Sequence, residues 1–208
     1  MKKSMCITYI VEGKLYVNIT NKCSNRCEFC IRLGGDGAYG SDSLWLEREP
    51  SREEILTSIF SHDLTAFPEL VFCGYGEPTY RLADAVYVAK MVKEKHPEIK
   101  IRINTNGQSD LILGRKTAPD FEGAFDIVSI SLNTPSAEKY QRLCHSIYGE
   151  TAFDALLRFA GEVKNYVPSV LLSAVKETLT SEEIELCKQI CTDLGVTLRL
   201  RDYIPPES

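Results

Sequence analysis

The sequence lacks the features that mark membrane, secreted and polyanion-binding proteins. Its 208 residues contain no apolar run of about 18 residues or more, so we predict no transmembrane helix. Lys2 and Lys3 lie near the N-terminus, but no apolar signal-peptide core follows them. The net charge of −5 supplies no overall basic field to attract a nucleic acid. With no linker or repeat either, we expect a single domain over residues 1–208, located in the cytoplasm.

Cysteine is the residue type that stands out. Eight cysteines in a chain without a signal peptide indicate a reducing compartment and metal binding rather than disulfides. Cys23, Cys27 and Cys30 form the pattern C-x3-C-x2-C directly after the apolar run 15–20. Structural zinc sites normally close with four protein ligands, and iron–sulfur clusters usually take four cysteines. Three thiolates in one short loop therefore favour a catalytic metal centre with one position open.

Apolar strand patterns alternate with helical patterns, which predicts an α/β fold with a parallel sheet. The helix signals include a capping box at Ser51 and Glu54 and a C-terminal glycine, Gly195. Right-handed βαβ units place the carboxyl ends of all parallel strands on one side of the sheet. We predict six strands, at 15–20, 69–72, 100–104, 125–133, 170–175 and 196–201. Polar motifs follow the first four of them, so we expect these motifs to converge.

The cysteine triplet, with Phe29 just before its third member, resembles the signature loop of the radical S-adenosylmethionine (SAM) superfamily. The resemblance implies that Cys23, Cys27 and Cys30 hold a [4Fe–4S] cluster whose fourth iron binds SAM. It implies reductive cleavage of SAM to a 5′-deoxyadenosyl radical that acts on a substrate, with electrons from a flavodoxin or ferredoxin-type donor. It also implies a partial (β/α)6 TIM-type barrel, the radical SAM core.

The same resemblance implies a set of SAM-binding residues. The Tyr75-Gly76-Glu77-Pro78 segment is similar to the family's GGEP motif, with Tyr75 in place of the first glycine. The strand ending at Thr105 runs into Asn-Gly, as in the family, and Arg142 is either a ligand of the SAM carboxylate or a solvated residue on a helix. The residues implied to contact SAM are Phe29, Tyr75, Gly76, Glu77, Asn104, Asn106, Ser131, Asn133 and Arg142.

Within the superfamily, the segments 16–23, 44–46 and 49–51 resemble the small radical SAM proteins named for their association with TatD-type nucleases. That resemblance implies a functional link to such a nuclease. An activase that makes a glycyl radical, or a small-molecule synthase of the deazaguanine-forming type, is the alternative within the superfamily. A non-catalytic iron–sulfur or zinc protein is the alternative outside it.

The sequence leaves the roles of two further features open. The glycine-rich stretch 34–40 is interpreted as a flexible cover over the cluster, with a substrate-facing lid as the alternative. Cys187 and Cys191 share an apolar helix stripe with Ile184 and Leu194, so we interpret them as core thiols rather than ligands of a second cluster.

Overall fold

A seven-stranded sheet organises residues 2–203, the part of the chain that the computed structural model describes. The sheet follows chain order from β1 to β7, with β1 antiparallel to β2 and all later pairs parallel. The strands are β1 (Thr8–Val11), β2 (Lys14–Val17), β3 (Glu69–Phe72), β4 (Lys100–Thr105), β5 (Ile127–Ser131), β6 (Ser169–Val175) and β7 (Thr197–Arg201). Within the described residues β7 pairs with β6 alone, so the sheet does not close on β1.

Within residues 2–203, six α-helices connect the strands and cover one face of the sheet. They are α1 (Arg52–Phe60), α2 (Leu82–Lys95), α3 (Ser109–Leu113), α4 (Ala137–Cys144), α5 (Thr151–Val163) and α6 (Ser181–Leu194). The predicted capping box at Ser51 and Glu54 is confirmed. Gly195 ends α6 at a φ of 67°, a conformation that glycine adopts without strain. Within residues 2–203 the search for a helix able to cross a membrane finds none.

The core lies between the sheet and the helices. Neighbouring strands place Leu15, Leu70 and Ile101 side by side in register, and all three are fully buried. Because strand side chains alternate between faces, every second residue enters this core. Burial of an aliphatic side chain stabilises the fold by roughly 1.5–3 kcal/mol. Cys187 and Cys191 are buried in the same core, which confirms their interpretation as core thiols.

The remaining strand residues form what we call the inner face, the face opposite the helices. Strand pairing aligns the side chains of this face in rows across the sheet. One row runs from Tyr16 through Val71 to Arg102, and another runs from Asn104 to Ser129. A second apolar cluster covers the part of this face near β1. The buried members of that cluster are Tyr9, Val11, Ala38, Leu44 and Tyr75.

The predicted α/β fold with six parallel strands is confirmed, and several details differ. β1 adds an antiparallel strand that the six-strand prediction does not include. The strand predicted at 125–133 is shorter in the structure, where β5 is Ile127–Ser131. β2 ends at Val17 rather than at Thr20, because Asn18 leaves the ladder. The Asn18 side-chain amide instead donates to the carbonyl oxygen of Leu44 at 2.8 Å. The sheet is an open, partial barrel, as the sequence predicted.

Candidate active site

The cysteine loop lies against the carboxyl end of α4. The backbone N–H groups of Arg26 and Glu28 donate to the carbonyl oxygens of Cys144 and Leu143, at 2.9 and 3.0 Å. The N–H of Ile147 donates in return to the carbonyl oxygen of Ser24, at 2.9 Å. These bonds fix the loop backbone against a helix that packs on the core.

The three predicted cluster cysteines are half-buried and carry free thiols. Burial, with the negative charge of Glu77, raises the pKa of Cys23 to about 12. A hydrogen bond with the thiol of Cys144, together with burial, raises the pKa of Cys27. Burial also raises the pKa of Cys30. The charge of Cys27 contributes to the rise at both Cys23 and Cys30, which means that the thiols lie within electrostatic reach of one another.

The donor chemistry of this loop fits an iron–sulfur cluster better than a single metal ion. Within residues 2–203, no three His, Cys, Asp or Glu side chains meet at a point where one ion could sit. A cluster does not need such a point, because each thiolate binds a different iron. Thiols with raised pKa values release protons when they bind metal, so loading of this site couples to pH.

A buried hydrogen-bond network centred on Gln108 supports the cysteine loop. The Gln108 side-chain oxygen accepts from Ser24 at 2.9 Å and from Ser146 at 3.0 Å, and its amide nitrogen donates to Asn25 at 2.9 Å and to Tyr140 at 3.0 Å. All five residues are buried, and Gln108 is fully so. Ser24 and Asn25 stand between the first two cysteines, so the network fixes the stretch on which cluster geometry depends.

Sequence reasoning missed this network because its members are remote from one another in the chain. Gln108 is 84 residues from Ser24 and 32 from Tyr140. The available signal was Gln108 itself, a polar residue directly after the Asn106-Gly107 turn. Asn106, a predicted SAM contact, donates from its side chain to Ser24 at 2.8 Å and accepts from the Gln108 N–H at 3.0 Å.

Glu77 is buried and joins two strand ends. Its Oε1 accepts from the Thr79 N–H at 3.0 Å and from the hydroxyls of Thr79 and Thr105, each at 2.7 Å. Its Oε2 accepts from the Asn106 N–H at 2.6 Å. Burial raises the pKa of Glu77, and these hydrogen bonds oppose the rise. The carboxylate therefore ties the loop after β3 to the loop after β4, and Oε2 keeps a lone pair for a further donor.

Gly76 has no room for a side chain. A Cβ atom at this position would overlap the carbonyl oxygen of Thr20 and lie 2.7 Å from that of Lys22. The next residue, Glu77, donates its N–H to the Lys22 carbonyl at 2.7 Å. The segment thus packs directly on the chain that enters the cysteine loop, which puts two of the predicted motifs in contact.

Tyr75 is buried and packs against the glycine-rich stretch. Its hydroxyl donates towards the carbonyl oxygens of Gly35 and Gly37, at 3.1 and 2.9 Å, and its ring meets Trp45 edge-on at 5.1 Å. The stretch is therefore a packed cover over the β1 side of the inner face. Its Tyr39, with a φ of 57°, is 41% exposed.

Three buried oxygen atoms at the carboxyl ends of β4 and β5 have no hydrogen-bond partner within residues 2–203: Asn104 Oδ1, Asn133 Oδ1 and Thr134 Oγ1. A buried polar atom without a partner costs about 1–3 kcal/mol, so these atoms are suited to a polar ligand. Asn133 has a φ of 60°, and its side-chain nitrogen donates to Cys144 Sγ at 3.5 Å. Ser131, half-buried, stands beside Ser173 in the register.

The two remaining predicted SAM contacts lie at the edges of this region. Phe29 is half-buried and packs against the core from within the cysteine loop. The Arg142 side chain is 62% exposed and faces Glu138 at 3.7 Å, which matches the solvated interpretation of this residue. The structure thus brings together the cysteine loop, Gly76-Glu77 and Asn106, and leaves Arg142 in solvent.

Comparison with known families decides the assignment. The family model of the radical SAM superfamily matches residues 17–190. The chain belongs to this superfamily. Its cofactors are accordingly a [4Fe–4S] cluster and SAM, and the cysteine loop with its three thiols and open fourth position fits them.

Several curated relatives match across most of the chain, and two of them are described here by their names. One is the tungsten-containing aldehyde ferredoxin oxidoreductase cofactor-modifying protein of Pyrococcus furiosus, 28% identical over 201 residues, which are 92% of this chain and 51% of that protein. Another is a probable GTP 3′,8-cyclase of Methanocaldococcus jannaschii, 25% identical over 197 residues, 92% of this chain and 59% of the relative. The chain thus spans about half the length of the first of these.

Solved structures of the superfamily share the fold. Streptococcus suis SuiB bound to S-adenosylmethionine superposes with a TM-score of 0.63 at 16% identity, over 91% of this chain and 40% of SuiB. At this identity the likeness concerns the fold alone. It agrees with the open α/β sheet described above as a partial barrel.

Proposed function

We propose that this chain is a radical SAM enzyme that cleaves SAM reductively and directs the resulting 5′-deoxyadenosyl radical at a small-molecule substrate. The observation that carries the proposal is the cysteine loop with its three free thiols, whose Ser24-Asn25 segment is held by the Gln108 network. The bound cluster supplies the electron and the SAM-binding iron. The protein's own residues position the thiolates, surround them with the loops after β2, β3 and β4, and bind the rest of SAM.

The proposal assigns a role to each residue of the site. Cys23, Cys27 and Cys30 hold the cluster, while Gly76 and Glu77 bring the backbone after β3 to the edge of the cysteine loop. The Oε2 lone pair of Glu77 is suited to the amino group of SAM. The other residues proposed to contact SAM are Phe29, Tyr75, Asn104, Asn106, Ser131 and Asn133, whereas the exposed Arg142 is interpreted as solvated.

A small-molecule substrate is favoured over a glycyl radical on a protein partner. Relatives named as GTP 3′,8-cyclases act on a nucleotide, and they match 92% or 61% of this chain. This supports the synthase alternative over the activase alternative.

The finer assignments are also proposals. The segments 16–23, 44–46 and 49–51 support membership of the TatD-associated subgroup and a link to a TatD-type nuclease. One continuous sheet supports a single core domain over residues 1–208, of which residue 1 and residues 204–208 lie outside the described part. One-electron reduction of a cluster requires an electron donor, for which we propose a flavodoxin or ferredoxin-type protein. Eight free thiols support a cytoplasmic location.

The test is anaerobic reconstitution with iron and sulfide, followed by reduction with dithionite and assay of 5′-deoxyadenosine from SAM. We expect product from the wild-type protein and none from Cys27→Ser, because this substitution removes a cluster ligand. Cys6→Ser is the matched control, since Cys6 is half-buried and its thiol donates to the Thr8 carbonyl, outside the cysteine loop. Undiminished product in Cys27→Ser, or a wild-type protein that takes up one zinc ion and no iron, would contradict the proposal.

A further inference from the structure

We propose that the inner face binds an anionic group, a phosphate or carboxylate, of the small-molecule substrate through Arg199 and Arg201 on β7. The proposal rests on the proposed function for the identity of the site, and it adds the chemical class of the substrate. Neither arginine belongs to a motif that predicted the cluster or SAM contacts.

The register places both arginines on the inner face. Ser131 of β5 pairs with Ser173 of β6, which pairs with Arg199 of β7. Two residues further along β7, Arg201 pairs with Val175 on the same face. Side chains at i and i+2 of a strand share a face and stand about 7 Å apart. The two guanidinium groups therefore stand at the edge of a serine-bearing surface.

Their positive charges have no ion-pair partner among residues 2–203. On the same face, Arg102 is neutralised by Glu69, with Nη1 and Oε2 3.3 Å apart. Within residues 2–203, no carboxylate lies within salt-bridge distance of Arg199 or Arg201. In a chain of net charge −5, an inner face with two unpaired arginines is a local positive site.

The positive charges of Arg199 and Arg201 reach titratable groups on and around the inner face. Burial raises the pKa of Cys73 and of Tyr39, and the positive charge of Arg201 partly offsets each rise. The charge of Arg199 acts in the same way on Tyr16. Arg201 is thus within electrostatic reach of Cys73, directly after β3, and of Tyr39 in the glycine-rich cover.

The inner face also carries other polar side chains that suit a polar ligand. Ser129 and Ser173 are buried on this face. Arg102 Nε and Asn104 Oδ1 are buried without hydrogen-bond partners within residues 2–203. Guanidinium groups bind carboxylate and phosphate in a bidentate manner, which makes either anion suitable. Arginines on an edge strand can instead have the single role of preventing pairing with another strand. The anion titration described next distinguishes that role from ligand binding.

The probes are inorganic phosphate and succinate, titrated separately into the reconstituted, SAM-bound protein under anaerobic conditions and followed by calorimetry. We expect one of the two anions to bind with 1:1 stoichiometry. Arg199→Gln and Arg201→Gln should each weaken that binding by about tenfold or more, since a hydrogen bond to a charged group is lost. Arg158→Gln, an exposed arginine on α5, is the matched control and should bind as the wild type does.

Three outcomes would overturn the inference: neither anion binds the wild-type protein, the β7 variants bind as tightly as the wild type, or Arg158→Gln weakens binding as much as they do. The 5′-deoxyadenosine assay on the wild-type protein, run in parallel, tests the proposed function. Arginine-dependent binding without 5′-deoxyadenosine would support the anion site and contradict the proposed function. Product without anion binding would support the function and overturn the anion site.

Discussion

The rim at the ends of β2 to β4 and the inner face of β4 to β7 differ in how their polar groups are used. At the rim, Gln108 satisfies both side-chain atoms with protein partners, and Glu77 accepts four hydrogen bonds. On the inner face, Arg102 Nε lacks a partner and Arg201 lacks a counter-charge within residues 2–203. A satisfied network is rigid and specifies one geometry, whereas polar groups without partners are suited to a ligand. The first region supports the cysteine loop, and the second is where we propose that the anionic group of the substrate binds.

The largest expected effect is from Gly76→Ala, which tests whether the rim is close-packed. The added Cβ would overlap the Thr20 carbonyl oxygen, so two backbone segments must separate. We expect a loss of about 3 kcal/mol in the free energy of unfolding, measured by urea denaturation, since overpacking of this kind is costly.

Gly161→Ala is the matched control for that substitution. Gly161 lies within α5, and the nearest atom to an added Cβ is Leu194 Cδ2 at 3.6 Å, an ordinary contact. Alanine favours the helix by about 1 kcal/mol over glycine, so this variant should be as stable as the wild type or more so. Equal stability of both variants would mean that the rim accommodates a side chain.

Gln108→Met tests whether the buried network positions the cysteine loop. Methionine has a similar shape but leaves Ser24, Asn25 and Tyr140 without their shared partner. We expect a loss of about 2 kcal/mol in stability and a lower iron content after reconstitution. Gln189→Met, at an exposed position on α6, should change neither quantity. Wild-type iron content in Gln108→Met would show that the loop holds its geometry without the network.

The reactivity of Cys23 tests whether the rim is already formed in the cluster-free protein. The thiolate is the reactive form, and a pKa of about 12 keeps the thiol protonated at pH 8. The thiolate fraction, and hence the iodoacetamide alkylation rate of Cys23, should rise about tenfold from pH 8 to pH 9. A thiol with the ordinary pKa near 8.5 gains only about threefold. Mass spectrometry of the Cys23 peptide measures the rate. A threefold rise would mean that the loop opens when no cluster is bound.

The smallest effect is expected at Arg142. Its side chain is 62% exposed and its ion pair with Glu138 is 3.7 Å long, so Arg142→Gln should change stability by less than about 0.5 kcal/mol. The SAM concentration that half-saturates 5′-deoxyadenosine formation should also stay within about twofold, since an exposed ion pair contributes little. A tenfold increase would instead support Arg142 as a ligand of the SAM carboxylate.

Sequence patterns predicted the local features well. Cysteine spacing, the Ser51 capping box and Gly195 each depend on residues that are near one another in the chain. The Gln108 network depends on contacts across more than 80 residues, which no local pattern encodes. The face on which Arg199 lies depends on strand register. An alternating strand pattern alone does not tell whether an arginine lies on the inner face or on a solvent-exposed edge. β1 is four residues long and carries too little periodicity to identify.

The most direct test of the central claim, that three cysteines hold a cluster with an open iron for SAM, is low-temperature electron paramagnetic resonance. The anaerobically reconstituted protein is reduced with dithionite and measured without and with SAM. We predict the signal of a reduced [4Fe–4S] cluster whose shape changes on addition of SAM, and the loss of this signal in Cys27→Ser. A signal that SAM leaves unchanged, or one that persists in Cys27→Ser, would contradict the account.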